Sequence, residues 1–296
     1  MPRSIGVVVS DYIAWGVVEG DSVRGTISTY PADGGGTDVL QSTPADEMVA
    51  RVADEVKALA EGEPLDAIGL AFPGIVQNGI IKESPNLHQL KGVPVERLVR
   101  EALAERGVHC EKVCASNDAD VVAAGIAARH GKLDQLVRVW MLGNGIGFGI
   151  YPVTEGVWEG GHTVVTLDPN EKFCGCGGRG HLEGIMGHRA MRLRFLDLEP
   201  EEVFEQAKTG EDPRCVEFVI MWHRALAAAT ASSIHMSGPG KFYISGPNSR
   251  FVNVGLLNRC VQEMVKMSSL QGFVFEVVPK SDDVALVGAV VNALRA

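Results

Sequence analysis

The sequence predicts an α/β protein of two domains, and three observations carry that prediction. Strand-like and helix-like runs alternate from residue 4 to residue 107. The alternation restarts with a helix at residue 117 and closes with a helix over 282–296. The chain has 296 residues, 46% of them hydrophobic, which is long for one domain, comfortable for two, and enough to bury a core in each. The expected division is an N-terminal domain over 1–116, completed by the terminal helix 282–296, and a C-terminal domain over 117–281.

Each element has its own signal. "SIGVVV" (4–9) is a continuous apolar run of strand length, and "AWGVVEG" and "VRGTISTY" follow as strands around the turn signal Gly20-Asp21. Over 45–62, Met48, Val49, Val52, Val56 and Leu59 recur on one helical face, and Thr43-Pro44 supplies a start. "AIGLAFPG" (67–74) is a strand stopped by Pro-Gly, and 95–107 is a helix closed by Gly107. Asn117 opens a helix over 117–131 as its N-cap. "VRVWMLGNGIGFGIYP" predicts two strands around a glycine turn, 186–235 a long helical region, and "KFYISGP" (241–247) a strand ending in a Gly-Pro turn.

Charge and composition exclude several classes. The formal net charge is −10 with no basic cluster, so nucleic-acid binding is not expected. No apolar run approaches the roughly 18–20 residues of a membrane helix, and MPRSIGVVVSDY has no A-x-A-like cleavage site; a cytoplasmic protein without membrane partners is expected. Six cysteines in a chain of this kind do not form a disulfide framework. Cys215 and Cys260 fall within helical patterns, Cys110 and Cys114 beside a strand, and all four are expected to be inert.

Cys174 and Cys176 stand apart, in the glycine-rich run "CGCGGRGH". Three readings compete. A redox pair normally has C-x-x-C spacing at a helix N-terminus, which C-x-C does not provide. A plain loop is the second. The third is a zinc site: His162 lies twelve residues before Cys174 and His181 five after Cys176, completing the two thiolates and two imidazoles of a tetrahedral set. Four protein ligands close such a site, so a zinc held by His162, Cys174, Cys176 and His181 would be structural.

The segment Glu159-Gly-Gly-His162 … Cys174-Gly-Cys-Gly-Gly-Arg-Gly-His181-Leu-Glu183 resembles the ROK family of sugar kinases and related repressors, with its G-E-x-G-H … C-x-C-G-x-x-G-C-x-E pattern. His181 stands where the family has its third cysteine. Three further runs are similar: "AFPGIVQNGIIKESPNLHQLKG" to P-G-x-V … G-x-I … S-x-N-L, "SNDADVVAAG" to E-N-D-A-N-A-A-A-x-G, and "LGNGIGFGI" to L-G-T-G-x-G-x-G-I.

The resemblance implies two actin-like (ribonuclease-H-like) α/β domains with a central cleft, and transfer of the ATP γ-phosphoryl group to a hexose hydroxyl. It implies Asp118 as the base that accepts the hydroxyl proton, the role a carboxylate suits. Gly74, Asn86, Asn117, Glu159, His162 and Glu183 match sugar-contacting positions; amides and carboxylates serve there because a hydroxyl both donates and accepts. Gly143, Asn144, Gly145 and Gly246 match nucleotide-binding positions. Mg²⁺ would accompany ATP, and a homodimer or homotetramer is implied. Taken alone, Asn117 also fits a plain N-cap and Asp118 a first-turn acid favoured by the helix dipole.

The family's first phosphate motif, D-x-G-G-T-K, is absent. Val7, Val8, Val9, Ser10, Asp11 and Tyr12 occupy its place, and Asp11 adds negative charge where repulsion of ATP is expected. Gly34-Gly-Gly-Thr37-Asp38 imitates the motif by composition, but follows a Pro-Ala-Asp turn instead of a strand and reads as a flexible loop. Two functions follow: an ATP-dependent, glucokinase-like hexose kinase, favoured by Asp118, or a catalytically impaired relative that binds sugar as a sensor, favoured by the lost motif. The chain opens directly on a strand, so transcriptional repression is not expected.

Overall fold

The computed structural model describes residues 3–32, 38–154, 156, 158–266 and 272–296; Gly34–Thr37 of the expected glycine loop lie outside them. Two compact units emerge. One holds residues 1–137, 149–157 and 281–296, the other 138–148 and 158–280.

The first unit carries β1 (Ser4–Val9), β2 (Ile13–Glu19), β3 (Ser22–Tyr30), α1 (Asp38–Ser42), α2 (Ala45–Ala60), β4 (Leu65–Phe72), β5 (Ile75–Gln77), β6 (Ile80–Glu83), α3 (Val95–Glu105), β7 (Cys110–Asn117), α4 (Asp118–Arg129) and the final helix α10 (Asp282–Arg295). Its sheet runs β3-β2-β1-β4-β7. β1 is antiparallel to β2 and parallel to β4, which is parallel to β7. Successive side chains of a strand face opposite sides, and both central strands use this. Ile5, Val7, Val9, Ile68, Leu70 and Phe72 form one core with Met48, Val52 and Val56 of α2 and Val95, Val99 and Leu103 of α3.

The opposite face is lined by small residues because α10 lies almost against the backbone. A Cβ built at Gly6 would fall 2.5 Å from the Leu286 carbonyl oxygen, and one at Gly69 2.2 Å from that of Ala289. α10 also crosses α4 at glycines: a Cβ at Gly288 would lie 1.7 Å from the Val121 carbonyl oxygen, and one at Gly125 1.9 Å from that of Val284. This contact holds α4 within the first unit, so the division expected at 116/117 falls inside that unit.

The second unit contains most of β8 (Val137–Leu142) and the first half of β9 (Ile146–Tyr151). It continues with α5 (Leu182–Met186), α6 (His188–Arg194), α7 (Pro200–Thr209), α8 (Pro213–Ser237), β10 (Gly240–Ser245), α9 (Val254–Met264) and β11 (Phe273–Val277). The strand order is β11-β10-β8-β9, with β10 parallel to both neighbours β8 and β11. Trp140, Leu142, Phe242 and Ile244 of the sheet pack with Phe218, Trp222 and Leu226 of α8.

The long helical region expected over 186–235 is divided among α5, α6, α7 and α8. Pro200 and Pro213 each occupy a first helical turn, where the missing N–H costs nothing. Glu199 and Glu202 close a capping box, and Gly210 ends α7 in the left-handed conformation at φ 74°. Cys215 and Cys260 are buried, as expected, and burial pushes both thiols up. No helix among the described residues is long and apolar enough to cross a membrane.

Gly288→Ala places a methyl where a carbonyl oxygen already sits, and is expected to cost about 1–3 kcal/mol by overpacking. A denaturant titration reads this as a lower midpoint at unchanged slope; an unchanged midpoint would show that α10 can retreat from α4 at no cost.

Candidate active site

In the first unit Gly74, Asn117 and Asp118 gather where β4 and β7 end. The two strands are in register with Phe72 opposite Asn117, so the Pro73-Gly74 turn and the start of α4 lie side by side. Asn117 joins them. Its Oδ1 accepts from the Ala119 and Asp120 amides at 2.8 and 3.3 Å, and its Nδ2 donates to the Gly74 carbonyl at 2.7 Å. Gly74 has φ 96°, and a Cβ there would lie 2.2 Å from the Glu83 carbonyl oxygen, so the turn requires glycine.

Asp118 is the first residue of α4 and half-buried, with Oδ1 accepting from the Ala119 amide at 2.9 Å. Asn86 is exposed in the bend after β6, above buried Leu87. Asp120, which sequence reasoning passed over, accepts the Ile150 amide of β9 at 2.9 Å, and its carboxyl is pushed up to about 6. Burial is the main cause; the Ile150 bond opposes it and the neighbouring Asp118 adds to it.

The first hairpin is closed without phosphate-motif residues. The Ser10 amide donates to the Tyr12 carbonyl at 2.9 Å. The Tyr12 hydroxyl donates to both carboxylate oxygens of Asp282, at 2.9 and 2.8 Å, on the first residue of α10. Burial, then this carboxylate, drives the phenol pKa up.

In the second unit, Gly143-Asn144-Gly145 turns the chain from β8 into β9, with Asn144 and Gly145 exposed. The Gly143 carbonyl accepts from the His188 amide and from Asn248 Nδ2, both at 3.0 Å. Asn248 is 1% exposed; its place in "SGPN" was visible in the sequence, its partner was not. Gly246, with φ 95°, is buried against Leu142.

Glu183, on the short helix α5, reaches this turn. One oxygen accepts the Ile146 amide at 3.1 Å and the other accepts from the Cys174 thiol at 3.5 Å. The expected sugar ligand therefore also ties the cysteine loop to the glycine turn. Glu159 precedes the 3₁₀ turn Gly160–His162. Its side chain reaches solvent, but surrounding protein pushes its carboxyl up, Glu183 adds to this, and His162 opposes it.

The cysteine loop is held by the protein around it. The Val165 amide donates to the Gly180 carbonyl at 2.8 Å, Leu182 to Thr163 at 2.9 Å, and Gly180 to Glu171 at 2.7 Å. Glu171, 9% exposed, takes two bonds from Arg194 at 3.0 and 2.5 Å, and that guanidinium stacks over Phe173. Within the frame, Cys174 Sγ is 3.3 Å from Cys176 Sγ, which is 3.3 Å from His181 Nδ1. The rings of His162 and His181 stack at 5.2 Å, and one donor atom from each of the four residues lies within 4.8 Å of the others. Bond lengths of about 2.0 Å to nitrogen and 2.3 Å to sulfur give tetrahedral edges of roughly 3.3–3.8 Å; the two 3.3 Å contacts are of that size, and the quartet could hold one divalent ion. A second cluster, His188, Glu199 and Glu201, has its carboxylates paired with Arg192 and Arg250.

An α/β unit with a carboxylate on a capped helix start, and a second α/β unit with a glycine turn braced by a Cys/His loop, place the chain among actin-like sugar kinases. The structure matches the ROK hexokinase of Thermus thermophilus with a TM-score of 0.77, at 23% identity over 98% of this chain and 97% of that one. It matches a ROK-family glucokinase of Streptomyces griseus, solved with glucose and AMPPNP, with a TM-score of 0.70 at 21% identity, over 99% of this chain and 100% of that one. In sequence, a glucokinase of Thermotoga maritima is 29% identical over 290 residues, covering 85% of this chain and 86% of that one. The ROK family model matches residues 37–295, and the chain belongs to the ROK family. The first hairpin, with Tyr12, precedes the matched residues.

Arg194→Met removes the partner of a buried carboxylate, and is expected to cost about 1–3 kcal/mol. Limited proteolysis checks where: cleavage should accelerate within residues 163–181, and an unchanged pattern would show that the loop does not rely on this pair.

Proposed function

We propose that the chain is an ATP-dependent hexose kinase of the glucokinase type, with Asp118 as the base. The observation that carries this is Asn117, which caps α4, grips the Gly74 turn, and so sets Asp118 at the head of the helix. There Asp118 would accept the proton of the attacking sugar hydroxyl as the phosphoryl group arrives. The glucokinases among its relatives support the phosphotransferase over the sensor.

Gly74, Asn86, Asn117, Glu159, His162 and Glu183 would contact the sugar. Asn117 keeps one amide N–H for this, and a carboxylate such as Glu183 has lone pairs beyond the two bonds it makes. Gly143, Asn144 and Gly145 would offer backbone amides to the phosphates, with Gly246 beside the adenosine and Mg²⁺ accompanying ATP. His162, Cys174, Cys176 and His181 would hold a structural zinc, whose contribution is to fix the loop that carries His162 and leads into Glu183. A cytoplasmic homo-oligomer is in keeping with this role.

An ADP-release assay over a hexose panel with ATP, GTP and polyphosphate tests the proposal. Turnover with ATP and at least one hexose is expected. No turnover with any donor, alongside calorimetric sugar binding, would sink the kinase. Asp118→Asn should lower kcat by roughly 10²–10⁴; full activity in that variant removes the base assignment. Metal analysis of purified protein should find about one zinc per chain, and His181→Ala should lower both zinc content and Tm. Zinc well below one equivalent, with an unchanged Tm in His181→Ala, would make the loop metal-free.

A further inference from the structure

Two segments converge on one carbonyl of the glycine turn, and two adjacent residues of α8 anchor both. The Gly143 carbonyl accepts from the His188 amide and from Asn248 Nδ2. His188 follows α5, whose Met186 carbonyl accepts from Trp222 Nε1 at 3.3 Å. Asn248 lies in the 3₁₀ turn Pro247–Phe251, which closes on itself as the Ser249 amide donates to Gly246 and the Val252 amide to Ser249. Asn253 follows, caps α9, and donates its own amide to His223 Nε2 at 2.9 Å. Trp222 and His223 are both fully buried.

These contacts fix the form of the imidazole. Nε2 accepts from an amide and so carries no proton. Nδ1 stands 2.7 Å from the Val219 carbonyl, which can only accept, and so carries the single proton of a neutral ring. A second proton would set an N–H against the Asn253 N–H and break that arm. Of the elements packed on α8, α9 brings the buried thiol of Cys260, exposed Arg259, and Glu263, which pairs with Arg224. α7 brings Glu199, Glu201, Glu202, Glu205 and Lys208, all exposed. α5 brings Glu183, bonded to Ile146 and Cys174, and β8 brings Arg138, bonded to Gly238 beyond the far end of α8. None of these charges acts on the ring; burial pushes the imidazole down, and the Val219 bond opposes this.

We infer that His223 is a positioning residue for nucleotide binding: its neutral ring holds Asn253 and, through the Pro247–Phe251 turn, sets Asn248 on the Gly143 carbonyl. This rests on Gly143–Gly145 being the nucleotide's turn. The hold is lost on the acid side. Below about 6.5, the ordinary range of imidazole, a released ring takes up a proton that the held ring has no room for. Each further pH unit then favours release about tenfold more.

His223→Ala removes the acceptor, whereas His223→Gln keeps one for the Asn253 amide and cannot be protonated. At pH 8, His223→Ala should raise the ATP KM roughly five- to twentyfold, with kcat and sugar KM changed less than about threefold, and His223→Gln should restore most of that loss. Between pH 8 and pH 5.5 the ATP KM should rise more steeply in the unaltered protein than in His223→Gln, by up to about tenfold at the acid end. Parallel pH profiles overturn the inference, and so does an unchanged ATP KM in His223→Ala. Imidazole ¹⁵N spectra need no variant: at pH 7.5 His223 should be neutral with its proton on Nδ1, and a proton on Nε2 overturns the inference as well. Amide exchange at Asn144–Ile146 separates it from the nucleotide reading. Exchange there should quicken in His223→Ala with no nucleotide present, and unchanged exchange overturns the inference. Failure of the unaltered protein to bind ATP at pH 8 sinks the nucleotide reading alone.

Discussion

One side-chain amide organises the first unit around its chemistry. Asn117 ends β7, accepts two of the amides that a helix start leaves unpaired, and donates to the carbonyl of the turn that ends β4. Three backbone segments, the end of β7, the start of α4 and the Gly74 turn, are thereby fixed by one residue. Asp118 stands at the head of that helix, where the partial positive charge of a helix N-terminus lies. The arrangement needs α4 to be rigid, and α10 supplies that rigidity by lying against it with glycine opposed to backbone at Gly125 and Gly288. The terminal helix, farthest from the site in sequence, thus sets how firmly the site's helix is held.

In the second unit a carboxylate does the joining. Glu183 joins the glycine turn to the cysteine loop through Ile146 and Cys174, and the same turn is held from behind by His188 and Asn248. The loop has its own brace in Arg194 and Glu171, apart from any ion. A metal quartet within such a frame need not fold the segment from nothing; it has to align donors that the frame already brings within 4.8 Å of one another. This lowers the ordering entropy that ion binding would have to overcome.

What could be read from the sequence was whatever depends on local pattern. Strands such as β1 and β4, the α2 stripe, the Asn117 cap and the Cys/His spacing all express themselves within a few residues. The division of 186–235 into α6, α7 and α8 was also local, carried by Pro200, Gly210 and Pro213, but the apolar periodicity on either side masked it. The rest depends on partners far along the chain. Nothing near Glu183 announces Ile146, and nothing near Asn248 announces Gly143. Asp120 was hidden for a different reason: next to a motif aspartate it looks like one more helix-start acid, and its burial against β9 appears once the strand is placed. Domain division was hidden too, because α4 belongs with α10, 160 residues away, and not with the segment it begins.

The first hairpin shows how a lost motif can be replaced by structure. Tyr12 takes the position of a residue that would bring positive charge, and its hydroxyl ties the hairpin to the head of α10 through Asp282. The turn spends the Ser10 amide on closing itself, so fewer amides face outward, and Asp11 is exposed beside it. Charge here has the wrong sign for a polyanion, and at physiological ionic strength it acts over a screening length of about 8 Å. A hairpin of this kind ties β1 and β2 to α10 and would leave phosphate recognition elsewhere. On the proposed function that work falls to the Gly143–Gly145 turn, whose exposed residues are neutral, and to the divalent cation that arrives with the nucleotide. The donor would then be held chiefly by backbone dipoles and Mg²⁺, which makes the fixing of that turn by Glu183, His188 and Asn248 the condition on which nucleotide binding depends.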